Sequence, residues 1–202
     1  MINRKTLFLL GGAGVLGVAL AAAVAVQAQP PATAPKAAAP APFASTTMSF
    51  EVKDASGKVL GNGRILQGNE GQVPGVVLHL ELTGLAPGWH GMHFHNKGDC
   101  SAADFTSAGP HISMTTPVVH GFFMDKANDF GDLPNIYADA TGSVKVEVFS
   151  PFVTVFPRGG DGRPGLYDAD GSALVIHANA DDYHTQPIGG AGGRIACGVM
   201  KR

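Results

Sequence analysis

Short segments in which apolar and polar residues alternate constrain the fold of this chain more than any other feature. Residues 76–82 read Val-Val-Leu-His-Leu-Glu-Leu, residues 48–53 alternate in the same way, and residues 144–148 carry a valine at every second position. A period of two places alternate side chains on opposite faces of a β-strand. Turn signals such as Asp54-Ala55-Ser56-Gly57 separate these segments. The pattern predicts an all-β domain, built as an antiparallel sandwich or flattened barrel.

Two histidines on one predicted strand carry the strongest functional signal. His93 and His95 are spaced i, i+2, so both imidazoles project from one face of the strand. Two imidazoles fixed in this way form half of a transition-metal site, and the chain contains six further histidines that can complete it. The main candidates are His111, His120 and His177.

The sparse and balanced charge of the chain narrows the class of partner. Only 15% of the residues are charged, and 14 Lys and Arg against 16 Asp and Glu give a formal net charge of −2. Nucleic-acid-binding proteins display basic runs or basic patches interleaved with aromatic residues, and neither pattern occurs in this sequence. We therefore expect no nucleic-acid partner.

The N-terminal residues predict export. Arg4 and Lys5 precede an apolar run over residues 7–26, and Val26-Gln27-Ala28 resembles a processing site. Residues 1–28 are predicted to be a signal peptide, although the apolar run is long enough to leave an uncleaved membrane anchor open. Residues 29–45, rich in Ala and Pro, are predicted to be an extended linker before a folded domain at residues 46–202. The predicted location is the periplasm or cell envelope, with membrane contact only through residues 1–28.

A long irregular stretch within the domain needs something to hold it. Residues 97–138 lack regular periodicity, and a loop of that length is uncommon in a compact domain unless it is pinned. A metal ion and a disulfide are the obvious means. Cys100 and Cys197 are the only cysteines, and export favours a disulfide between them. The alternatives are two free buried thiols or two soft copper ligands.

Seven short motifs occur in a fixed order along the domain. They are Gly88-Trp89-His90-Gly91-Met92-His93-Phe94-His95, Gly98-Asp99-Cys100-Ser101, Ser107-Ala108-Gly109-Pro110-His111, His120-Gly121, Gly131-Asp132-Leu133-Pro134-Asn135, Val175-Ile176-His177 and Gly193-Arg194-Ile195-Ala196-Cys197-Gly198-Val199. Together they resemble the Cu,Zn superoxide dismutase family in its exported bacterial branch, over residues 50–200. The resemblance implies a Greek-key β-sandwich or flattened barrel with long metal-binding and electrostatic loops. It also implies superoxide as the substrate and copper and zinc as cofactors, and it leaves open whether the protein is a monomer or a homodimer.

Carried over residue by residue, the resemblance implies two adjacent metal sites that share one histidine. The implied copper ligands are His93, His95, His111 and His177. The implied zinc ligands are His111, His120, Asp129 and Asp132. Four imidazoles suit copper(II) in a tetragonal field, and a mixture of imidazole and carboxylate is usual for zinc.

The zinc loop departs from the family pattern in two places. Asp129 stands where the family normally has a third zinc-binding histidine, and a carboxylate there adds negative charge and has a shorter reach. We expect zinc to be retained; the alternative is that Asp129 is an ordinary loop residue and zinc is weak or absent. The segment His111-Ile112-Ser113-Met114 also differs from the usual sequence, so the loop is expected to run differently.

Three residues are assigned roles beside the metals. Asp181 matches the carboxylate that ties a copper-side histidine to a zinc-side histidine. Arg194 is assigned to the substrate, because a fixed guanidinium supplies both attraction and hydrogen bonds to a small anion. His111 is implied to leave copper and carry a proton during turnover. The predicted activity is superoxide dismutation; the alternatives are a copper-only dismutase and a non-catalytic copper-binding protein of the envelope.

Overall fold

The computed structural model describes residues 45–68, 74–156 and 162–202, and their regular structure is almost entirely β-strand. The strands are β1 (Ser45–Asp54), β2 (Val59–Gly68), β3 (Val76–Leu82), β4 (Gly88–His90), β5 (Met92–His95), β6 (Ile136–Ala138), β7 (Val144–Ser150), β8 (Ser172–His177) and β9 (Arg194–Met200). Within the described ranges there is no α-helix, and one 3₁₀ turn spans Thr106–Ala108.

The strands form two antiparallel sheets whose order requires crossovers. Seven strands lie in the order β5-β8-β9-β1-β2-β3-β7, and β4 pairs with β6. β1, β2 and β3 are neighbours in sequence, whereas β7 joins β3 and β8 lies between β5 and β9. Such returns of the chain beside an earlier strand are the mark of Greek-key connections. The predicted all-β antiparallel fold is confirmed.

The predicted alternation decides which side chains form the core. In β3 every second residue, from Val76 to Leu82, is buried. Phe50 and Val52 of β1 are buried in the same cluster, and Met48 packs against it. In β7 the inward-facing Val144 is buried as well. The strand predictions for these three segments are therefore confirmed.

β5, which carries His93 and His95, is buried on both of its faces. Met92 and Phe94 belong to the central apolar cluster. His93 and His95 point the other way, yet both are fully buried. A loop must therefore cover the outer face of β5.

A disulfide fastens that loop to the sheet. Cys100 and Cys197 are bonded, with their Cα atoms 6.0 Å apart and a sequence separation of 97. Beside the disulfide, Phe105 packs with Val175 of β8 in a second apolar cluster. The predicted cysteine pairing is confirmed. The disulfide is one of the two features that were expected to hold the irregular stretch at residues 97–138.

The irregular stretch ends earlier than predicted. Residues 136–138 form β6, which pairs with β4 so that His90 lies opposite Ile136. Three residues are too few to show a period in the sequence. The predicted signal peptide, and the linker up to residue 44, lie outside the described residues, while Ser45 already belongs to β1. In the described ranges, no helix combines the length and apolar character needed to cross a bilayer.

Candidate metal centre

The loop after β5 returns and pairs with the free edge of that strand. The N–H of Phe94 donates to the carbonyl of Gly131 at 2.8 Å, and the N–H of Ile112 donates to the carbonyl of Phe94 at 3.0 Å. A Cβ on Gly131 would collide with the carbonyl oxygen of Phe94, so only glycine permits this approach. These bonds place His111 opposite His95 and Asp132 opposite His93.

Four histidine rings meet at one buried point. They are His93, His95, His111 and His177, and their ligand atoms all lie within 4.8 Å of one another. Each ring has one buried nitrogen without a hydrogen-bond partner: Nδ1 of His93 and Nε2 of the other three. A buried polar atom without a partner costs free energy, so four of them converging on one point fit a bound metal ion. Four imidazole nitrogens suit copper.

The second ring nitrogens of two of these histidines are held by backbone carbonyls. Nδ1 of His95 donates to the carbonyl of Gly109 at 2.7 Å, and Nδ1 of His177 donates to the carbonyl of Gly192 at 3.0 Å. Because a carbonyl only accepts, the proton of each neutral ring sits on Nδ1. The lone pair on Nε2 is therefore directed at the common point.

Burial keeps three rings of this cluster uncharged, whereas the hydrogen bonds of His111 to Asp129 and Asp132 outweigh its burial and raise its pKa. Burial lowers the pKa of His93 to about 3 and that of His177 to about 4, and it lowers the pKa of His95 well below its usual value. These rings are neutral at neutral pH, which is the form that binds a metal.

The other nitrogen of His111 faces a second group of potential ligands. Its Nδ1 lies 2.6 Å from Oδ2 of Asp129 and 3.6 Å from Oδ1 of Asp132, and Nδ1 of His120 lies 3.4 and 2.7 Å from the same two oxygens. A tetrahedral zinc ion with bonds of about 2.0–2.1 Å separates its ligand atoms by roughly 3.3 Å. Two imidazoles and two carboxylates thus surround a space of the right size for zinc.

His93 is close enough to be grouped with His111, His120 and Asp132 in place of Asp129. The hydrogen bonds argue against that grouping. Nε2 of His93 donates to Oδ2 of Asp181 at 2.9 Å, and its Nδ1 faces the point at which the four histidine rings meet. Asp129, with direct contacts to both zinc-side rings, is the better fourth ligand.

The carboxylates set the charge of the second group. Burial opposes a charge on His120, but its hydrogen bonds to Asp129, Asp132 and Asp181 raise its pKa to about 11. Burial also opposes a charge on Asp129 and so raises its pKa. Hydrogen bonds from His111 and His120 outweigh this effect and lower the pKa of Asp129 to about 2. His120 therefore holds a proton that a metal ion has to displace.

Asp181 links the two groups of histidines. Its side chain is buried, with Oδ2 accepting from Nε2 of His93 at 2.9 Å and Oδ1 accepting from Nε2 of His120 at 3.1 Å. Burial raises the pKa of this carboxyl, but the two imidazoles hold it well below its usual range. The structure places Asp181 where the resemblance implies it, between one ring of each group.

Asn135 positions Asp181, and sequence reasoning assigned it no role. Its side chain clasps the backbone of Asp181: Nδ2 donates to the carbonyl at 2.8 Å, and Oδ1 accepts from the N–H at 2.8 Å. The N–H of Asn135 donates to the hydroxyl of Tyr183 at 2.7 Å. The only signal was the place of Asn135 at the end of the motif Gly131-Asp132-Leu133-Pro134-Asn135.

Two other amide side chains organise the zinc loop without a sequence signal of their own. Gln186 accepts from the N–H of His120 at 3.0 Å and donates to its carbonyl at 2.7 Å. Asn128 accepts from the N–H of Val119 at 2.7 Å and donates to the carbonyl of Pro117 at 3.1 Å. Asn128 thereby fixes the loop segment next to Asp129.

Arg194 lies beside the four-histidine cluster and is held by two carbonyls. Nη1 donates to the carbonyl of Phe105 at 2.6 Å, and Nη2 donates to the carbonyl of Gly109 at 2.9 Å. The carbonyl of Gly109 also accepts from Nδ1 of His95, so one oxygen joins the arginine to a cluster histidine. Of the five N–H groups of a guanidinium, these bonds use two and leave three for an anion.

His90 stays outside the cluster. Its Nδ1 and Nε2 lie 2.7 and 2.8 Å from the carbonyl oxygens of His177 and Ala86. His90 therefore supports the backbone that carries His177.

Known proteins share this fold and this sequence pattern. Residues 59–200 match the family described as copper/zinc superoxide dismutase. The Cu-Zn superoxide dismutase of Caulobacter vibrioides is 58% identical over 127 residues, which cover 63% of this chain and 72% of that protein. The Cu-Zn superoxide dismutase 2 of Aquifex aeolicus is 38% identical over 152 residues, 75% of this chain and 84% of that protein.

A solved structure of a related protein has the same fold. The crystal structure of a SOD-like protein from Bacillus subtilis superposes with a TM-score of 0.67 at 35% identity, covering 75% of this chain and 97% of that one. With a fold, a histidine cluster and a family match that all coincide, this chain belongs to the copper/zinc superoxide dismutase family.

Proposed function

We propose that this protein dismutates superoxide with copper at the four-histidine cluster and zinc at the adjoining two-histidine, two-aspartate group. The proposed copper ligands are His93, His95, His111 and His177. The proposed zinc ligands are His111, His120, Asp129 and Asp132. Superoxide dismutation, with copper and zinc as cofactors, is the activity of the family to which the chain belongs. Two superoxide anions and two protons become dioxygen and hydrogen peroxide.

One observation carries the proposal: four buried ring nitrogens, each without a hydrogen-bond partner, converge on one point. Copper, when bound there, supplies the one-electron exchange with superoxide. The fixed second nitrogens of His95 and His177 hold their rings in place throughout.

The remaining chemistry is the delivery of protons and substrate. His111 has Nε2 in the cluster and Nδ1 on the carboxylate side, so Nε2 can take up a proton from solvent and return it to the reduced substrate. Arg194 attracts the anion and offers it free N–H groups beside His95. We assign these two residues the catalytic roles.

The ligand assignment predicts the electron paramagnetic resonance spectrum of the copper(II) form. We expect hyperfine splitting from four nitrogen ligands, with one nitrogen lost in His177→Ala. His184→Ala is the matched control, because His184 is an exposed histidine of the neighbouring loop. A copper spectrum that His177→Ala leaves unchanged would contradict the assignment.

The zinc assignment predicts that Asp129→His binds zinc more tightly. A neutral imidazole replaces one of two closely spaced carboxylates, which relieves their repulsion and extends the reach of the ligand. We expect the zinc dissociation constant, measured by competition with a chelator, to fall about tenfold. Asp125→His, in an exposed part of the same loop, is the control and should change nothing. Equal affinity in wild type and Asp129→His would count against Asp129 as a zinc ligand, and no zinc binding by either protein would favour a copper-only dismutase.

We also propose that the protein is exported from the cytoplasm. Residues 1–28 would direct the chain to the periplasm or envelope, residues 29–45 would act as a linker, and residues 46–202 would form the exported domain. The Cys100–Cys197 disulfide supports an oxidising compartment. Sequencing the N-terminus of the exported protein decides between a cleaved signal and an anchor, and light scattering on the same sample decides between monomer and homodimer.

A further inference from the structure

The turn that holds Arg194 begins at an exposed aspartate. Oδ1 of Asp104 accepts from the N–H of Thr106 at 3.1 Å and from its hydroxyl at 2.7 Å. These bonds close the chain around Phe105, which adopts a left-handed conformation with φ of 55°. Such a conformation is unfavourable for a phenylalanine and persists only when its surroundings impose it. Asp104 is one of the groups that impose it.

The carbonyl that this turn presents is the one that Arg194 uses. The oxygen of Phe105 accepts from Nη1 of Arg194 at 2.6 Å and from the N–H of Ala108 at 3.2 Å. The ring of Phe105 is buried beside the disulfide, which anchors the turn from the other side. The position of the guanidinium therefore depends on a turn that Asp104 closes.

The carboxylate of Asp104 also acts on Arg194 through its charge. It is exposed and forms no ion pair with Arg194 within 4.0 Å, since its hydrogen bonds go to Thr106. Those hydrogen bonds lower the pKa of Asp104, and the positive charge of Arg194 lowers it further. Burial lowers the pKa of Arg194, and the charge of Asp104 opposes this effect. The two charges are thus close enough to interact without contact.

The segments on either side of Arg194 contain no other cation. Residues 98–110 and 178–193, which flank Arg194 in space and in sequence, contain no lysine or arginine. Lys97 passes beside Gly109, but it is exposed. Arg194 is therefore the one fixed side-chain cation beside these segments, and the negative charge of Asp104 acts against the attraction that it adds to that of the bound metal.

We propose that Asp104 is a tuning residue with two opposing effects: it closes the turn that positions Arg194, and its negative charge weakens the attraction of superoxide to that arginine. This inference rests on the proposed function. It predicts that removing the charge while keeping the turn makes the enzyme faster.

Asp104→Asn separates the two effects, because an asparagine Oδ1 can still accept both bonds from Thr106. We expect kcat/KM for superoxide, measured by pulse radiolysis, to rise about twofold at about 10 mM ionic strength, where the Debye length is about 30 Å. The gain should vanish at about 1 M salt, where that length is about 3 Å. Azide, an anion of the same charge, should bind the copper-loaded variant about twofold more tightly at low salt.

Asp99→Asn is the matched control. Asp99 lies in the same loop and accepts a similar bond from the N–H of Ser101 at 2.8 Å, but the nearby cation is Lys201 rather than Arg194. We expect neither its rate nor its salt dependence to change.

Asp104→Ala tests the positioning effect, since it removes both the charge and the bonds to Thr106. We expect it to be slower than Asp104→Asn at every salt concentration. An Asp104→Asn variant with unchanged rate, salt dependence and azide affinity would overturn the tuning role. If wild type and variants alike bind azide but consume no superoxide, the proposed function fails instead, and the azide titration still decides the inference.

Discussion

Replacing Arg194 with alanine is expected to lower kcat/KM for superoxide about 10- to 100-fold at low ionic strength while copper stays bound. The substrate is a small anion, and a fixed charge beside a confined site raises the on-rate of such a ligand by factors of this size. Nη1 and Nη2 of Arg194 lie 2.6 and 2.9 Å from two carbonyl oxygens, and these hydrogen bonds fix the position of the guanidinium charge. Pulse radiolysis at several salt concentrations measures the loss, which should shrink as salt rises.

The fold should tolerate this substitution. The carbonyl of Gly109 keeps its bond from His95, and the carbonyl of Phe105 keeps its bond from Ala108, so neither is left unpaired. Arg194→Lys keeps the charge but loses the planar fork that engages both carbonyls, and we expect an intermediate rate. An alanine variant with full copper and wild-type turnover would remove Arg194 from the mechanism.

Removing the disulfide is expected to destabilise the domain by about 4–5 kcal/mol. The bond closes a loop of 97 residues, and the loss of chain entropy in the unfolded state grows with the length of such a loop. The double variant Cys100→Ala with Cys197→Ala avoids free thiols, and urea denaturation of the metal-free protein measures the change. The loop that it releases carries Phe105 and Gly109, so the support of Arg194 should also weaken.

Reduced wild type is the control for this prediction. It loses the covalent link but keeps both side chains, whereas the double variant also leaves a cavity next to buried Val175. The two should agree to within the cost of that cavity. A reduced protein as stable as the oxidised one would contradict the assigned role of the disulfide.

Local periodicity explains what the sequence alone could predict of the fold. β3 alternates over seven residues, and a half-buried strand is the only regular element with that period. The same rule placed His93 and His95 on one face of a strand. A disulfide could be expected because two cysteines in an exported chain have few other uses.

The rest of the site depends on contacts between residues distant in sequence. Asn135 clasps the backbone of Asp181 across 46 positions, and Gln186 holds the backbone of His120 across 66. No local pattern marks such an amide, because its partners are backbone groups that every residue has. β6 was not predicted, because three residues are too few to show the alternation of apolar and polar side chains that marks a strand. Asp129 was identified from the family pattern, but its direct contacts with both zinc-side rings became visible only in the structure.

The most direct test of the whole account is to measure copper and zinc by elemental analysis on the purified, oxidised protein, together with superoxide consumption on the same sample before and after copper is removed. We expect about one copper and one zinc per chain, fast turnover, and loss of turnover that added copper reverses. A protein that binds its full copper without consuming superoxide, or that consumes superoxide equally well without copper, would contradict the account.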